Sequence, residues 1–219
     1  MITNQLAPVS AIADVLALWN QDGWLTPPLQ PVVAASAPIA GRALTITVVA
    51  GPTGPGFSQI YDVLSDDLTG RVLLLAGAAA VPGAVWGEIL TRAALQQGAS
   101  AVLVEGWVRD LPAINDLGLP IYANGERVVG PSGLAHITAI DTPITIHSNG
   151  NATLVASGDV IVVDSTGCVR VPAAEAGAVL QAANKYAAAE DLVVKALNEG
   201  EPLARAYRHK KSITDELRR

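Results

Sequence analysis

The sequence predicts a layered α/β domain, a β/β/α arrangement of mixed sheets with N- and C-terminal helical arms. Short apolar strand-like runs outnumber helical ones between residues 41 and 172. Two pairs of these runs flank glycine turns, at Gly150 and Gly167, the pattern of antiparallel hairpins. Helical periodicity is confined to short central segments and to the chain's two ends. A doubly wound parallel sheet would need a helix after nearly every strand, so that architecture is disfavoured. The chain divides into an arm and linker over 1–40, a core over 41–172, and a C-terminal helix and tail over 173–219.

In order, Ser10 reads as the N-cap of a first helix, with Ile12, Val15, Leu16 and Trp19 on its apolar face. Asp22-Gly23 ends it, Trp24 reads as a packing anchor or a subunit contact, and Thr26-Pro27-Pro28 opens a linker running to Pro38. Gly41 to Val49 is a strand. The loop Gly51-Pro52-Thr53-Gly54-Pro55-Gly56 then reads as an active-site wall, a subunit contact or a plain turn. A helix over Gln59–Leu68 precedes a buried strand over Arg71–Ala76. After the central motif, Leu111 to Asn115 reads as a turn, Leu119 to Ala123 as a strand and 124–138 as loop. Strands at Ile144–His147, Thr153–Ala156, Val160–Asp164 and Cys168–Val171 follow, and a long helix over Ala173–Leu197 leads to a basic tail.

Composition narrows the function classes. Half of the 219 residues are apolar and 16% are charged, which supports a large core and argues against disorder. A formal net charge of −6 without a basic stripe disfavours nucleic acid as a partner. The single cysteine, Cys168, excludes an internal disulfide and fits a reducing, cytoplasmic setting; it reads as a core residue. No apolar run reaches the ~18 residues of a membrane span, and no signal-peptide pattern opens the chain. His136, His147 and His209 are scattered without zinc-ligand spacing, and Asp159 and Asp164 read as makers of turn hydrogen bonds.

The chemistry gathers in Val85-Trp86-Gly87-Glu88-Ile89-Leu90 and Val104-Glu105-Gly106-Trp107-Val108-Arg109-Asp110. Between Glu88 and Arg109 lie 20 residues that read as one short helix and one buried strand. The helix travels ~15 Å away. The strand returns by ~20 Å. Glu88, Arg109 and Asp110 should therefore meet at one end of the sheet, beside the free N–H groups of a helix start. Hard divalent cations take carboxylate oxygen, and a substrate carboxylate takes a planar guanidinium and backbone donors. A structural salt bridge is the plainer account of such a trio. The 20-residue spacing and the flanking glycines favour a site.

Four stretches together resemble the RraA-like proteins, which include the class II 4-hydroxy-4-methyl-2-oxoglutarate aldolases. They are Gly41–Thr45, Trp86–Leu90, Gly106–Asp110, and Gly158–Asp164 with Gly167 and Val171-Pro172. The resemblance implies a swivelling-type β/β/α fold and homotrimers, sometimes hexamers, with the site between subunits. It implies Mg²⁺ or Mn²⁺ and cleavage of a 4-hydroxy-2-oxo acid to pyruvate, with oxaloacetate decarboxylation through the same enolate. By position, Asp110 would ligate the metal and Glu88 would hold a metal-bound water. Arg109 would bind the substrate's carboxylate or C2 oxygen. The N–H groups following Gly87, on Ile89, Leu90 and Thr91, would bind the pyruvyl carboxylate. Glu190 is the match for an acidic residue that the aldolases receive from a neighbouring subunit. Three departures stand out: Glu105 replaces a usual Asp, Trp107 is bulkier than usual, and the 51–56 loop lacks a common Gly-Asp-Asn. Other proteins of the family are non-enzymatic regulators that bind and inhibit an endoribonuclease. Glu88 and the C-terminal helix favour the enzyme.

Overall fold

The structure, a computed structural model, describes residues 6–25, 29–52, 56–148 and 151–218. The Thr26-Pro27-Pro28 linker start, the middle of the 51–56 loop and the Asn149-Gly150 turn lie outside the described residues.

The centre is a large mixed sheet. Its strands are β1 (Gln30–Val33), β2 (Ile39–Ala50), β3 (Arg71–Ala76), β4 (Ala101–Val108), β5 (Ile121–Glu126), β6 (Ala135–Ile140), β9 (Val160–Asp164) and β10 (Gly167–Val171). They run in the order β1-β5-β4-β3-β2-β9-β10, with β6 also paired to β2. β2, β3, β4 and β5 are mutually parallel, whereas β1, β6, β9 and β10 pair antiparallel. A separate hairpin of β7 (Ile144–Ser148) and β8 (Asn151–Val155) lies apart from it.

Alternation along the strands explains the layers. From β3, Leu73 and Leu75 enter one apolar cluster, while Val72, Leu74 and Ala76 enter another. The first cluster contains Ile60 of α2 (Gln59–Val63), Ala94 of α3 (Glu88–Gln96) and Ile114 of α4 (Leu111–Leu117). The second contains Ile144, Ile146 and Val155 of the hairpin, and also Cys168. Helices thus cover one face and a second β layer the other, the expected β/β/α order. A third cluster packs α1 (Val9–Leu18) and α5 (Ala176–Asn198) against β9 and β10. After α5 come α6 (Leu203–Ala206) and α7 (Arg208–Leu217). Among the described residues, no helix is long and apolar enough to cross a membrane.

Several elements differ from the sequence reading. Pro8, not Ser10, precedes α1, because the Asp164 carboxylate accepts the Val9 N–H at 2.8 Å and supplies the cap from another strand. The linker contains β1, a strand too short to show a pattern. Leu111 to Leu117 is a helix, with Pro112 in its first turn and Gly118 in a left-handed stop. The 124–138 loop contains the end of β5 and most of β6. α2 stops at Val63, five residues short of the expected end. α5 starts at Ala176 rather than Ala173, whose N–H is taken by Asp159 at 2.9 Å.

Tyr122 sits in the second cluster and donates its hydroxyl to Asp164 O at 2.7 Å. Burial pushes its phenol up to about 12. The neutral form belongs to the folded state, so this contribution to stability is complete below pH 10 and is lost as pH rises through about 12. Urea midpoints measured across that window should fall more steeply for the wild type than for Tyr122→Phe. Equal slopes would remove Tyr122 from the account.

Candidate active site

The helix start and the strand end meet through a short backbone splice. Val85 N–H donates to Trp107 O at 2.9 Å, and Arg109 N–H donates to Trp86 O at 3.0 Å. The segment before α3 therefore runs alongside the end of β4, as the parallel Trp86–Val108 bridge records. Trp86 is buried, and its indole N–H donates to Thr91 Oγ at 2.9 Å. That hydroxyl in turn donates to Gly87 O at 2.9 Å. These bonds hold the first turn of α3 rigidly against the core.

Gly87 has a structural reason to be glycine. A Cβ there would lie 2.8 Å from Asp110 Oδ2 and 3.0 Å from Arg109 Cγ. Both side chains pass over the bare backbone at this point. Asp110 Oδ2 accepts the Glu88 N–H at 3.3 Å and lies 3.5 Å from Arg109 Nε. Asp110 has φ 63°, a left-handed conformation that Asp tolerates better than most residues. The Arg109 guanidinium passes close to Gly130, whose Cβ position would lie 3.1 Å from one of its terminal nitrogens.

Glu88, Arg109 and Asp110 line one cavity of about 480 Å³ together with Gly87, Ile89 and Leu90. Such a volume suits a small metabolite. Among the described residues no acceptor takes the N–H of Ile89 or Leu90, as the opening turn of a helix leaves them. Thr91 corrects the expected donor set. Its N–H already donates to Gly87 O at 3.0 Å, it is buried, and it does not line the cavity. As the fourth helical residue it closes the first intrahelical bond. Its role is to brace Gly87 and Trp86.

Glu88 Oε1 accepts two N–H groups from Arg92, one turn along, at 2.7 and 2.9 Å. Glu190 does not line this cavity; its carboxylate accepts Lys210 Nζ at 2.6 Å within the same chain. Glu105, the departure before Gly106, faces away and accepts the N–H groups of Gly77 at 2.7 Å and His147 at 3.1 Å. It ties the main sheet to the β7–β8 hairpin. Trp107, the other departure, carries the Arg127 guanidinium 3.6 Å over its ring.

The donor set bears on the implied cation. Among the described residues no group of three or more His, Cys, Asp or Glu side chains could form a closed metal cage. Asp110, with Glu88 beside it, offers hard oxygen donors in an open cavity. That fits an ion such as Mg²⁺, held by one or two carboxylates and completed by water and substrate oxygen.

The other wall draws on the 51–56 loop, which the sequence offered as an active-site wall, a subunit contact or a plain turn: Pro52 and Gly56 line the cavity. Phe57, Ile60 and Tyr61 come from α2 and the turn before it, and Pro131 and Ser132 from the loop before β6. The glycines and prolines of 51–56 and 130–133 marked loops, but nothing local showed that the two loops converge.

A mixed sheet layered between helices and a hairpin, with an acid–guanidinium corner in the cavity where α3 begins, defines a class of α/β protein with a pocket sized for a small metabolite. Comparison with known proteins makes this specific. The RraA-like family model, described as Aldolase/RraA, matches residues 9–170, and the chain belongs to that family. A protein of Halalkalibacterium halodurans, provisionally named 4-hydroxy-4-methyl-2-oxoglutarate aldolase, is 26% identical over 93% of this chain and 90% of its own. A Pseudomonas syringae pv. tomato protein of unassigned function shares the fold at TM-score 0.78, with 24% identity over 91% of this chain and 92% of its own. Streptomyces coelicolor RraAS2, described as an unusual member of the RNase ES inhibitor RraA protein family, shares it at TM-score 0.70. That match is 22% identical and covers 83% of this chain and 88% of its own.

Proposed function

We propose that this protein is a divalent-metal-dependent lyase that cleaves a 4-hydroxy-2-oxo acid to pyruvate and also decarboxylates oxaloacetate. The carrying observation is the convergence of the Asp110 carboxylate, the Arg109 guanidinium and the open N–H groups of Ile89 and Leu90 in one cavity. The name of the Halalkalibacterium relative supports the reaction class.

In this reading the α-carboxylate of the substrate lies on the N–H groups of Ile89 and Leu90, at the positive end of α3. Arg109 faces the C2 oxygen, where negative charge develops as the C3–C4 bond breaks. Asp110 would hold the cation directly and Glu88 through water. A cation bound there supplies Lewis-acid polarisation of the keto group. Glu88 would also orient the water that takes the C4 hydroxyl proton, while Arg92 fixes its carboxylate. Among the described residues no lysine lines the cavity, so a Schiff-base route has no amine to use. Homotrimeric or hexameric assembly and a cytoplasmic setting belong to the same proposal.

The test is pyruvate release from oxaloacetate and a panel of 4-hydroxy-2-oxo acids, coupled to NADH oxidation, with EDTA and with Mg²⁺ or Mn²⁺ restored. EDTA should reduce release to background and either ion should restore it. Release that is absent, or indifferent to metal, would overturn the proposal. Absence would favour a regulator that binds an endoribonuclease, the reading to which the likeness to RraAS2 points.

A further inference from the structure

Backbone, as well as Asp110, confines the Arg109 side chain. Arg109 is partly exposed, and Asp110 Oδ2 lies 3.5 Å from its Nε, a loose tether beside an ordinary charge-assisted hydrogen bond. A long side chain held by that contact alone would sample several rotamers. Two glycines restrict it. Along the stem, a Cβ at Gly87 would lie 3.0 Å from Arg109 Cγ and 3.4 Å from Nε. At the tip, a Cβ at Gly130 would lie 3.1 Å from one terminal nitrogen, 3.5 Å from Cζ and 3.8 Å from the other nitrogen. Chain neighbours aside, the atoms nearest to that Gly130 position thus all belong to the Arg109 guanidinium.

The segment carrying Gly130 is pinned along its length. Arg127 N–H donates to the carbonyl of Val108, the residue before Arg109, at 3.0 Å. Ala84 N–H donates to Val129 O at 2.7 Å, and Pro131 O accepts the N–H groups of Leu134 at 2.9 Å and Ala135 at 3.1 Å. Gly83 backs it closely, since a Cβ there would lie 2.6 Å from Gly130 O and 2.9 Å from Val129 O. Val128 and Val129 are exposed, so the segment meets Arg109 with bare backbone.

We propose that Gly130 is a positioning residue: the pinned segment over 127–131 presents a backbone without a side chain to the Arg109 guanidinium and fixes where that group meets the substrate's keto oxygen. The inference rests on the lyase reading and adds a residue to its machinery. A cation stabilises developing oxyanion charge best when it is already in place, because a guanidinium free to swing must be ordered at each turnover. Gly130 lies outside the left-handed region, so an alanine fits its backbone. The added methyl group would meet the guanidinium, and Arg109 would have to give by a few tenths of an ångström.

Gly130→Ala should lower kcat for pyruvate release by about ten-fold and change KM by less than about two-fold, because the guanidinium faces charge that develops only as the C3–C4 bond breaks. The thermal midpoint should stay within a few degrees. In an Arg109→Lys background, which has no guanidinium to displace, Gly130→Ala should cost less than about two-fold. The same cycle is read in Kd by calorimetric titration of oxalate, a planar mimic of the enolate of pyruvate, into the Mn²⁺-loaded proteins. There Gly130→Ala should weaken binding by about five-fold beside Arg109 and by less than about two-fold in the Arg109→Lys background. Wild-type kcat and oxalate affinity in Gly130→Ala, or equal losses in both backgrounds, would overturn the positioning role and leave the lyase reading standing. If the wild type neither releases pyruvate nor binds oxalate, both fall.

Discussion

Asp110→Asn should cost on the order of 10²–10³-fold in metal-dependent pyruvate release while leaving the fold intact, the scale seen when one preorganised electrostatic group is lost from a reacting centre. The substitution is chosen for its backbone. Asp110 sits at φ 63°, where Asn is tolerated and a residue such as Ala would add strain of roughly 1–2 kcal/mol. Asparagine can still accept the Glu88 N–H, which Asp110 Oδ2 accepts at 3.3 Å. What disappears is the negative charge that would hold the cation and that now faces Arg109. Mn²⁺ affinity measured by calorimetry should fall with activity, and the thermal midpoint should stay within a few degrees. A variant that keeps both wild-type Mn²⁺ affinity and wild-type turnover would remove Asp110 from the metal site and with it the proposed chemistry.

The meeting of Glu88 with Arg109 and Asp110 was legible in the sequence because it depends on arithmetic: an outward helix and a returning strand bring their far ends together. The same holds for the layers, since the alternation of β3 assigns Val72, Leu74 and Ala76 to one face and Leu73 and Leu75 to the other. What depended on long-range partners was not legible. Ser10 has the composition of a cap, but Asp164, far along the chain, supplies the acceptor at Val9 instead. Gly125 looks like a loop residue, yet it lies in β5 with φ 146°, against the ring of Trp107. Thr91 looks like one more free donor at a helix start, but the bond to Gly87 O takes its N–H. The apolar wall of the cavity unites residues some 70 positions apart, from Phe57 to Pro131, and no local pattern announces such a meeting.

Asp159→Ala should produce the largest loss of stability, about 3–5 kcal/mol, the range for breaking a buried ion pair by removing one partner. Asp159 is buried at 3% exposure and stands where three parts of the chain meet. Its Oδ2 accepts the Ala156 N–H at 2.9 Å and Arg170 Nε at 2.7 Å, and its Oδ1 accepts the Ala173 N–H at 2.9 Å. Truncation would strand two backbone donors and a largely buried guanidinium at once, and each unsatisfied group has its own desolvation cost. Small domains hold only about 5–15 kcal/mol in total, so the urea midpoint should drop sharply. Arg170→Met should cost less, because Asp159 would keep both backbone donors. Hydrogen exchange should locate the damage at the start of α5, where Ala173 is pinned, before it reaches α3 and the cavity. A loss below about 1 kcal/mol for Asp159→Ala, the size of an ordinary surface substitution, would show that this carboxylate does not anchor the C-terminal helix to the sheet.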